Sequence, residues 1–324
     1  MEEVFRLIFH ALIFPGGLFA MIFGLFLMGL DRKLYARLQR RVGPPLHQPF
    51  IDVVKLMQKE VLIPRTANQR AFQLAPLIGF AGIMMAVVLI PIAGVYPGLA
   101  QSADLLVLLY LLITPALALI IGGSSSSSPF SAVGISREMM LTLFYEIPLL
   151  IVLLTVAIKA GHFYTEAATF SLSKITGFQQ QTGPLLLDIT MLPAFLAFLC
   201  CIPGSIGTVP FDIPEAETEI VEGPILEYSG SGLILFKIMG GIKMMVLAAL
   251  GVTLFFPGSG DGFWLISLAW FLVKCVVLVT VSVTIVRAST GRMRIDQAAK
   301  FYLKVPTGLA VVSLLATLYA INGM

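Results

Sequence analysis

The amino-acid sequence predicts an all-α integral membrane protein of about eight transmembrane helices with an added amphipathic cytoplasmic helix, and three observations carry that prediction. Of its 324 residues 58% are hydrophobic. Only 12% are charged, where a soluble domain has roughly a quarter, and the mean hydropathy is +0.95. Apolar stretches also recur at the length a bilayer demands, since a hydrocarbon core of ~30 Å takes roughly 20 helical residues. Together these exclude a solvated globular enzyme, a disordered chain and a disulfide scaffold. No soluble domain, long linker or convincing repeat interrupts the pattern, so residues 1–324 read as a single polytopic membrane domain.

The expected spans lie near residues 8–30, 74–96, 104–122, 139–158, 185–206, 233–256, 263–286 and 305–321. The first begins late, runs long and lacks a small-residue cleavage site before Asp31, so it is expected to remain a helix rather than act as a signal peptide. Pro15, Pro115, Pro148 and Pro193 fall inside spans, where neighbouring helices can satisfy the freed backbone groups, and they predict kinks. The Ser124 to Ser128 run before Pro129 suits a short turn.

Basic residues set the orientation. The loop 31–73 carries nine, 123–138 one, 207–232 none and 287–304 five, against Arg6, Lys159 and Lys174 on the other side. Because Lys and Arg accumulate on the cytoplasmic side, the four loops are expected in the cytoplasm and both termini outside. Lys237, Lys243 and Lys274 fall within spans; Lys237 could snorkel to the surface.

In the first loop Phe50, Val53, Val54, Met57 and Val61 form one helical stripe with Asp52, Lys55, Gln58 and Lys59 off it, the pattern of an interfacial helix. The nearby cluster of Arg32, Lys33, Arg37, Arg40 and Arg41 either fixes topology and touches anionic lipid or docks a partner.

The third loop places Asp212, Glu215, Glu217, Glu219, Glu222 and Glu227 within sixteen residues that contain no Lys or Arg. Phe211, Ile213, Ile220, Val221, Ile225 and Leu226 are interleaved with them, so some carboxylates should lie against apolar surface. The spacing of Glu215, Glu219 and Glu222 predicts one face of a helix begun by Pro214. Clustering and partial burial both raise a carboxylate pKa, which yields groups able to exchange protons near neutrality. Glu146 in the fourth span, and Lys243 and Lys274 in the sixth and seventh, are costly inside a membrane. They either lock helices together as buried ion pairs or line a hydrated proton path.

His10, His47 and His162 are isolated, without ligand spacing such as HExxH. Cys200, Cys201 and Cys275 sit in apolar runs without CxxC spacing, and adjacent Cys200 and Cys201 point to different sides of a helix. No metal site, nucleotide loop, nucleophile elbow or triad is legible, nor anything that would bind nucleic acid.

Four stretches carry a resemblance: Asp31-Arg32-Lys33 through Ala75-Pro76; Arg137 through Tyr145-Glu146; Pro210-Phe211-Asp212-Ile213-Pro214-Glu215-Ala216-Glu217 through Glu227-Tyr228-Ser229-Gly230; and Arg287-Ala288-Ser289 through Arg292-Met293-Arg294-Ile295-Asp296-Gln297 to Lys304-Val305-Pro306. They make up about a third of the chain. In them the sequence resembles the NADH dehydrogenase subunit 1 family, the eight-helix membrane subunit that complex I shares with energy-converting membrane-bound hydrogenases. The resemblance implies a joint between a peripheral electron-transfer arm and an ion-pumping membrane arm, with the acidic loop starting a lateral proton path. It implies that Glu215, Glu217, Glu219 and Glu227 hold the family's acidic-loop positions and Glu146 its fourth-span glutamate. Arg292, Arg294 and Asp296 match the last loop, which lies against the peripheral arm.

Departures from the quinone-reducing members point to a branch. Gly43-Pro44-Pro45-Leu46-His47-Gln48-Pro49 runs straight across where those members insert a second glycine-proline segment, Gly223-Pro224 replaces glycine-tyrosine, and Gly240 falls where they often carry a glutamate. Both of the latter, with Arg137-Glu138-Met139, resemble the hydrogenase-related branch. The expected protein is therefore a subunit without its own redox centre. It would serve a complex in which electrons pass from ferredoxin or formate to protons at a nickel-iron centre, with iron-sulfur clusters also on partner subunits. Expected partners are hydrogenase-like large and small subunits, an iron-sulfur protein, antiporter-like membrane subunits and lipid. The proton path would use Glu146, Asp212, Glu215, Glu217, Glu219, Glu222, Glu227 and Lys243, and partner docking Arg32, Lys33, Arg37, Arg41, Arg292, Arg294, Asp296 and Lys304. Two rivals remain: the quinone-site subunit of a respiratory complex I, and a self-sufficient ion exchanger.

Overall fold

The computed structural model describes residues 9–98, 104–258 and 263–322; Arg6, used above to set orientation, lies outside them. The described residues contain seven helices long and apolar enough to cross a membrane, running over Phe9–Leu38, Gln69–Leu89, Leu105–Ser125, Pro129–Phe163, Gly230–Phe255, Trp264–Ser289 and Ile295–Ile321. A shorter apolar helix covers Leu192–Ile206. The chain is a multi-pass, all-α membrane protein.

In chain order the helices are α1 (Gly17–Leu38), α2 (Gln48–Met57), α3 (Gln69–Leu89), α4 (Leu105–Ser125), α5 (Pro129–Phe163), α6 (Leu172–Thr182), α7 (Leu192–Ile206), α8 (Gly230–Phe255), α9 (Trp264–Ser289) and α10 (Ile295–Asn322). The expected eighth span over 185–206 is shorter than the sequence suggested. Only a single 3-10 turn occupies Leu185–Leu187, and the Asp188 side chain then accepts from the Thr190 amide and hydroxyl. Asp188 also pairs with Lys159 at 2.8 Å. This polar turn delays α7 until Leu192, which leaves about 22 Å of helix.

Pro193 consequently starts a helix instead of kinking one, since its missing N–H costs nothing in a first turn. Pro115 and Pro148 do lie inside α4 and α5. Pro15 falls in a non-helical break at residues 13–16 that separates the first short helical stretch from α1.

The hub is α8, which packs against α1, α2, α3, α4, α7 and α9. Its 18-residue apolar window is 78% buried, more than in any other candidate span. Backbones meet directly where α1 crosses it: a Cβ added to Gly24 would lie 2.6 Å from the Gly241 carbonyl carbon. Small residues are how membrane helices achieve such approach, because packing rather than hydrophobic exclusion drives their association. At the far end of α8, the buried Gln179 of α6 donates to the Thr253 and Leu254 carbonyls, both at 3.0 Å, and so satisfies terminal backbone groups.

A second, smaller core forms between α5 and α10, where Leu141, Tyr145, Ala298 and Tyr302 enclose Phe211 and Ile213 of the acidic loop. The interfacial helix exists as α2, but its stripe is divided. Val53 and Leu56 are buried while Val54 and Met57 are exposed, and Val61 lies beyond the helix end. One side of α2 meets the bundle, and Asp52 fixes it by accepting from Arg32 at 3.3 Å and Gln48 at 2.8 Å.

Candidate functional site

The acidic loop is positioned from its apolar residues. Phe211, Ile213, Ala216 and Ile220 are all buried, and their spacing does not fit one helical stripe. The loop therefore folds as turns, with a single helical turn at Glu217–Ile220 and left-handed backbone at Val221 and Glu222. Its seat on α5 is tight: a Cβ on Gly134 would approach Pro224 Cδ to 2.5 Å, and one on Gly223 would reach the Pro214 carbonyl oxygen at 2.5 Å. Glu215, Glu219 and Glu222 thus do not share the helical face that their spacing predicted. Glu219 turns outward to Arg137 at 2.6 Å, whereas Glu215 and Glu222 line a cavity.

The end of the loop is stapled to the segment that follows α2. Tyr228 stacks on Phe72 with ring centroids 4.0 Å apart, and its hydroxyl donates to the Phe72 carbonyl at 2.9 Å. The Ser229 hydroxyl donates to the Glu60 carbonyl and accepts from the Leu62 amide.

The cavity has a volume of about 370 Å³ and is bounded by the loop and by α1, α4, α5 and α8. Carboxylates of Asp31, Glu138, Asp212, Glu215, Glu217 and Glu222 reach its lining, as do Arg32, Lys237, Lys243 and Arg287. The remaining wall is apolar and includes Met28, Leu119, Phe236, Met239 and Met244, with space at Gly240 where an added Cβ would meet nothing within 4 Å. Burial pushes the Glu215 carboxyl up to about 8, and the charges of Glu138, Asp212 and Glu222 push the same way against the pull of Lys243. Asp212 is also raised by burial, although Arg292 opposes the shift through its charge and a 2.8 Å hydrogen bond.

Deeper in the bundle, Lys243 is 5% exposed and makes no direct ion pair among the described residues. Its ammonium lies 5.8 Å from the Tyr145 ring centroid, and the carboxylates that act on it are Glu138, Glu146 and Glu215. Glu146 has one buried carboxylate oxygen, Oε1, with no hydrogen-bond partner. The arrangement is a series of ionisable groups running from the loop surface, through Glu215 and Glu138, to Lys243 and Glu146 within the spans. Such a series can hold and exchange protons at several depths.

Two members were not singled out from sequence. Glu138 reads there only as a branch marker beside Arg137, although seven residues before Tyr145 places both on one face of α5. Asp31 reads as the first residue of a loop. In the fold it is 3% exposed, pairs with Arg287 at 2.9 Å and accepts from the Thr284 hydroxyl at 2.7 Å. Thr284 is aimed there by a π-helical segment at Thr280–Ile285, a kind of local widening that often marks functional positions. Arg287 also stacks over Tyr35 at 4.5 Å, and its Nε is buried without a partner.

Other sequence candidates lie elsewhere. Glu227 is half-buried, makes no ion pair among the described residues and does not line the cavity. Lys274 donates to the Phe256 carbonyl at 2.9 Å, next to the far end of α8. Lys237 is exposed at the loop end of α8. Of the basic set, Arg37, Arg41, Arg294 and Lys304 are exposed, as is Asp296, and Lys33 is half-buried. Arg32 is committed to Asp52, and Arg292 to Asp212 and to the Thr218 hydroxyl at 2.8 Å.

Comparison with known proteins places this geometry. A family model described as NADH dehydrogenase matches residues 11–318. One membrane component of the NADH-quinone oxidoreductase of Dehalococcoides mccartyi (strain CBDB1) is 31% identical over 309 residues, covering 94% of this chain and 84% of that protein. Hydrogenase-4 component C of Escherichia coli (strain K12) is 34% identical over 229 residues, 71% of this chain and 70% of that one. Among solved structures, a chain of the membrane-bound sulfane sulfur reductase, an archaeal respiratory membrane complex, superposes with a TM-score of 0.83 at 29% identity, covering 92% of this chain and 96% of that one. The chain belongs to the NADH dehydrogenase family as a complex I-like membrane subunit, related to the corresponding subunits of hydrogenase-type and respiratory complexes.

Proposed function

We propose that the chain joins the peripheral electron-transfer arm of a membrane-bound, energy-converting hydrogenase-type complex to its ion-pumping arm, and that its acidic loop is where protons enter. The supporting observation is the series Glu215, Glu138, Lys243 and Glu146, which links a loop-side cavity to the interior of the spans. Asp212, Glu217 and Glu222 are the outer carboxylates of that series. On this reading the loop side is cytoplasmic and both termini are outside, as fifteen basic residues against three suggest. Exposed Arg37, Arg41, Arg294, Asp296 and Lys304, with Lys33, meet the peripheral arm. Arg32 and Arg292 act indirectly, by holding α2 and the acidic loop in shape. The nickel-iron centre and iron-sulfur clusters belong to hydrogenase-like large and small subunits and an iron-sulfur protein, and antiporter-like subunits continue the membrane arm.

A quinone-site role is the second reading. It is favoured by the apolar half of the cavity, whose total volume lies within the usual range of small-molecule sites, about 300–1,000 Å³, and by likeness to a component of an NADH-quinone oxidoreductase. Purification with native partners separates the two. Stoichiometric nickel with iron-sulfur proteins supports the hydrogenase-type reading; bound quinone with a flavoprotein supports the other and overturns the first.

A further inference from the structure

Glu146 and the acidic loop are too far apart to exchange a proton directly. Glu138 and Glu146 lie eight residues apart on α5, about 12 Å along the helix axis, and Glu215 is on the loop side of Glu138. Between them stands one buried cation, the 5%-exposed Lys243, which lines the cavity without a direct ion-pair partner among the described residues. The groups facing it are Glu138 and Glu146 of α5, Glu215 of the loop and the Tyr145 ring. A lysine ammonium on a four-carbon stem has three donors and several rotamers, so it can address different carboxylates in turn. Neighbouring Arg137 leaves Glu138 free, because its guanidinium is held by Glu219 and the Ile213 carbonyl.

We propose that Glu138 is the relay carboxylate between the acidic loop and Lys243, and that Lys243 hands the proton on to Glu146. The inference rests on the proton-path reading above and adds a residue and an order of transfer to it. Protonated Glu215 gives its proton to ionised Glu138, becoming a carboxylate. Protonated Glu138 then gives that proton to the neutral amine of Lys243, leaving a carboxylate and an ammonium. The ammonium passes it to ionised Glu146, which becomes the acid and restores the amine. Net charge is conserved at each transfer, and one proton moves from loop to mid-span.

The test uses the complete complex in vesicles, with ion pumping per electron transferred as readout. Partner chemistry driven by soluble dyes serves as the assembly control. E138Q is expected to lower pumping at least tenfold with dye-driven chemistry unchanged. E138D, which keeps the acid but lengthens the gap, is expected to pump more slowly than wild type with a larger solvent isotope effect. Wild-type pumping in E138Q, with pumping lost in E146Q, would overturn the relay while sparing the path; wild-type pumping in both would overturn the path itself. Should E138Q fail to assemble, E138D decides, and wild-type rate and isotope effect there would overturn the relay. The double variant E138Q/K243Q removes both charges, so a merely structural pair predicts restored assembly and pumping. The relay predicts assembly without pumping, and restored pumping would overturn it.

Discussion

Replacing Glu215 with Gln tests how the fold tunes the acidic loop. The carboxyl rises from 4.5 to about 8 because burial disfavours its charge and three neighbouring carboxylates add to the penalty. A shift of about 3.5 units corresponds to about 5 kcal/mol at ~1.4 kcal/mol per unit, an upper bound that solvent in the cavity reduces to about 2 kcal/mol. The folded chain holds this proton more tightly than the unfolded chain does. Its contribution to stability is therefore full below about pH 4.5, declines as pH rises, and is lost on passing about pH 8. Infrared titration of the purified complex should show a carboxylic-acid carbonyl band disappearing with a midpoint near pH 8, and E215Q should lack that band. Melting temperatures give a second readout, with E215Q gaining on wild type between pH 5 and pH 8. No band difference, together with melting curves whose separation does not change with pH, would refute the assignment.

Other substitutions test the scaffold around the cavity. Asp31→Asn leaves the Arg287 charge buried without its partner and should cost about 3–5 kcal/mol, read as a lower melting temperature; adding Arg287→Met should recover much of the loss. Gly24→Ala forces a methyl against the Gly241 backbone, so folded protein recovered from membranes should drop severely, whereas Gly291→Ala, where a Cβ meets nothing within 4 Å, should be silent. Arg294→Glu should release the peripheral subunits during purification. Arg292→Glu should instead loosen the acidic loop through Asp212 and Thr218, detected as faster proteolysis there. A single cysteine at Gly98, in a chain without native cysteines, should label from outside intact cells.

Much of this was legible from hydropathy. Long apolar runs fixed the spans wherever length alone decided the matter, and the acidic loop and Glu146 stood out as charge in apolar surroundings. What escaped depended on tertiary packing. The polar Asp188–Thr190 turn shortened the fifth expected span, and Pro193 became a helix start. Burial of Phe211, Ile213 and Ile220 overrode the i, i+4, i+7 spacing of the loop glutamates. Asp31 and Arg287 are 256 residues apart in sequence, so neither local pattern nor composition could pair them. Glu138 was hidden by standing next to Arg137, since two adjacent opposite charges look like an exposed pair when their helix faces are not yet known.

The central claim is that charge moves through Glu146, and Glu146→Gln measures it most directly because it keeps size and hydrogen-bonding capacity while removing ionisation. In vesicles containing the complete complex, the variant should assemble, retain partner chemistry with artificial electron donors that bypass the membrane arm, and lose at least nine-tenths of its ion pumping, an effect on the order of 1.4 kcal/mol or more. Full assembly with unchanged pumping would contradict the account.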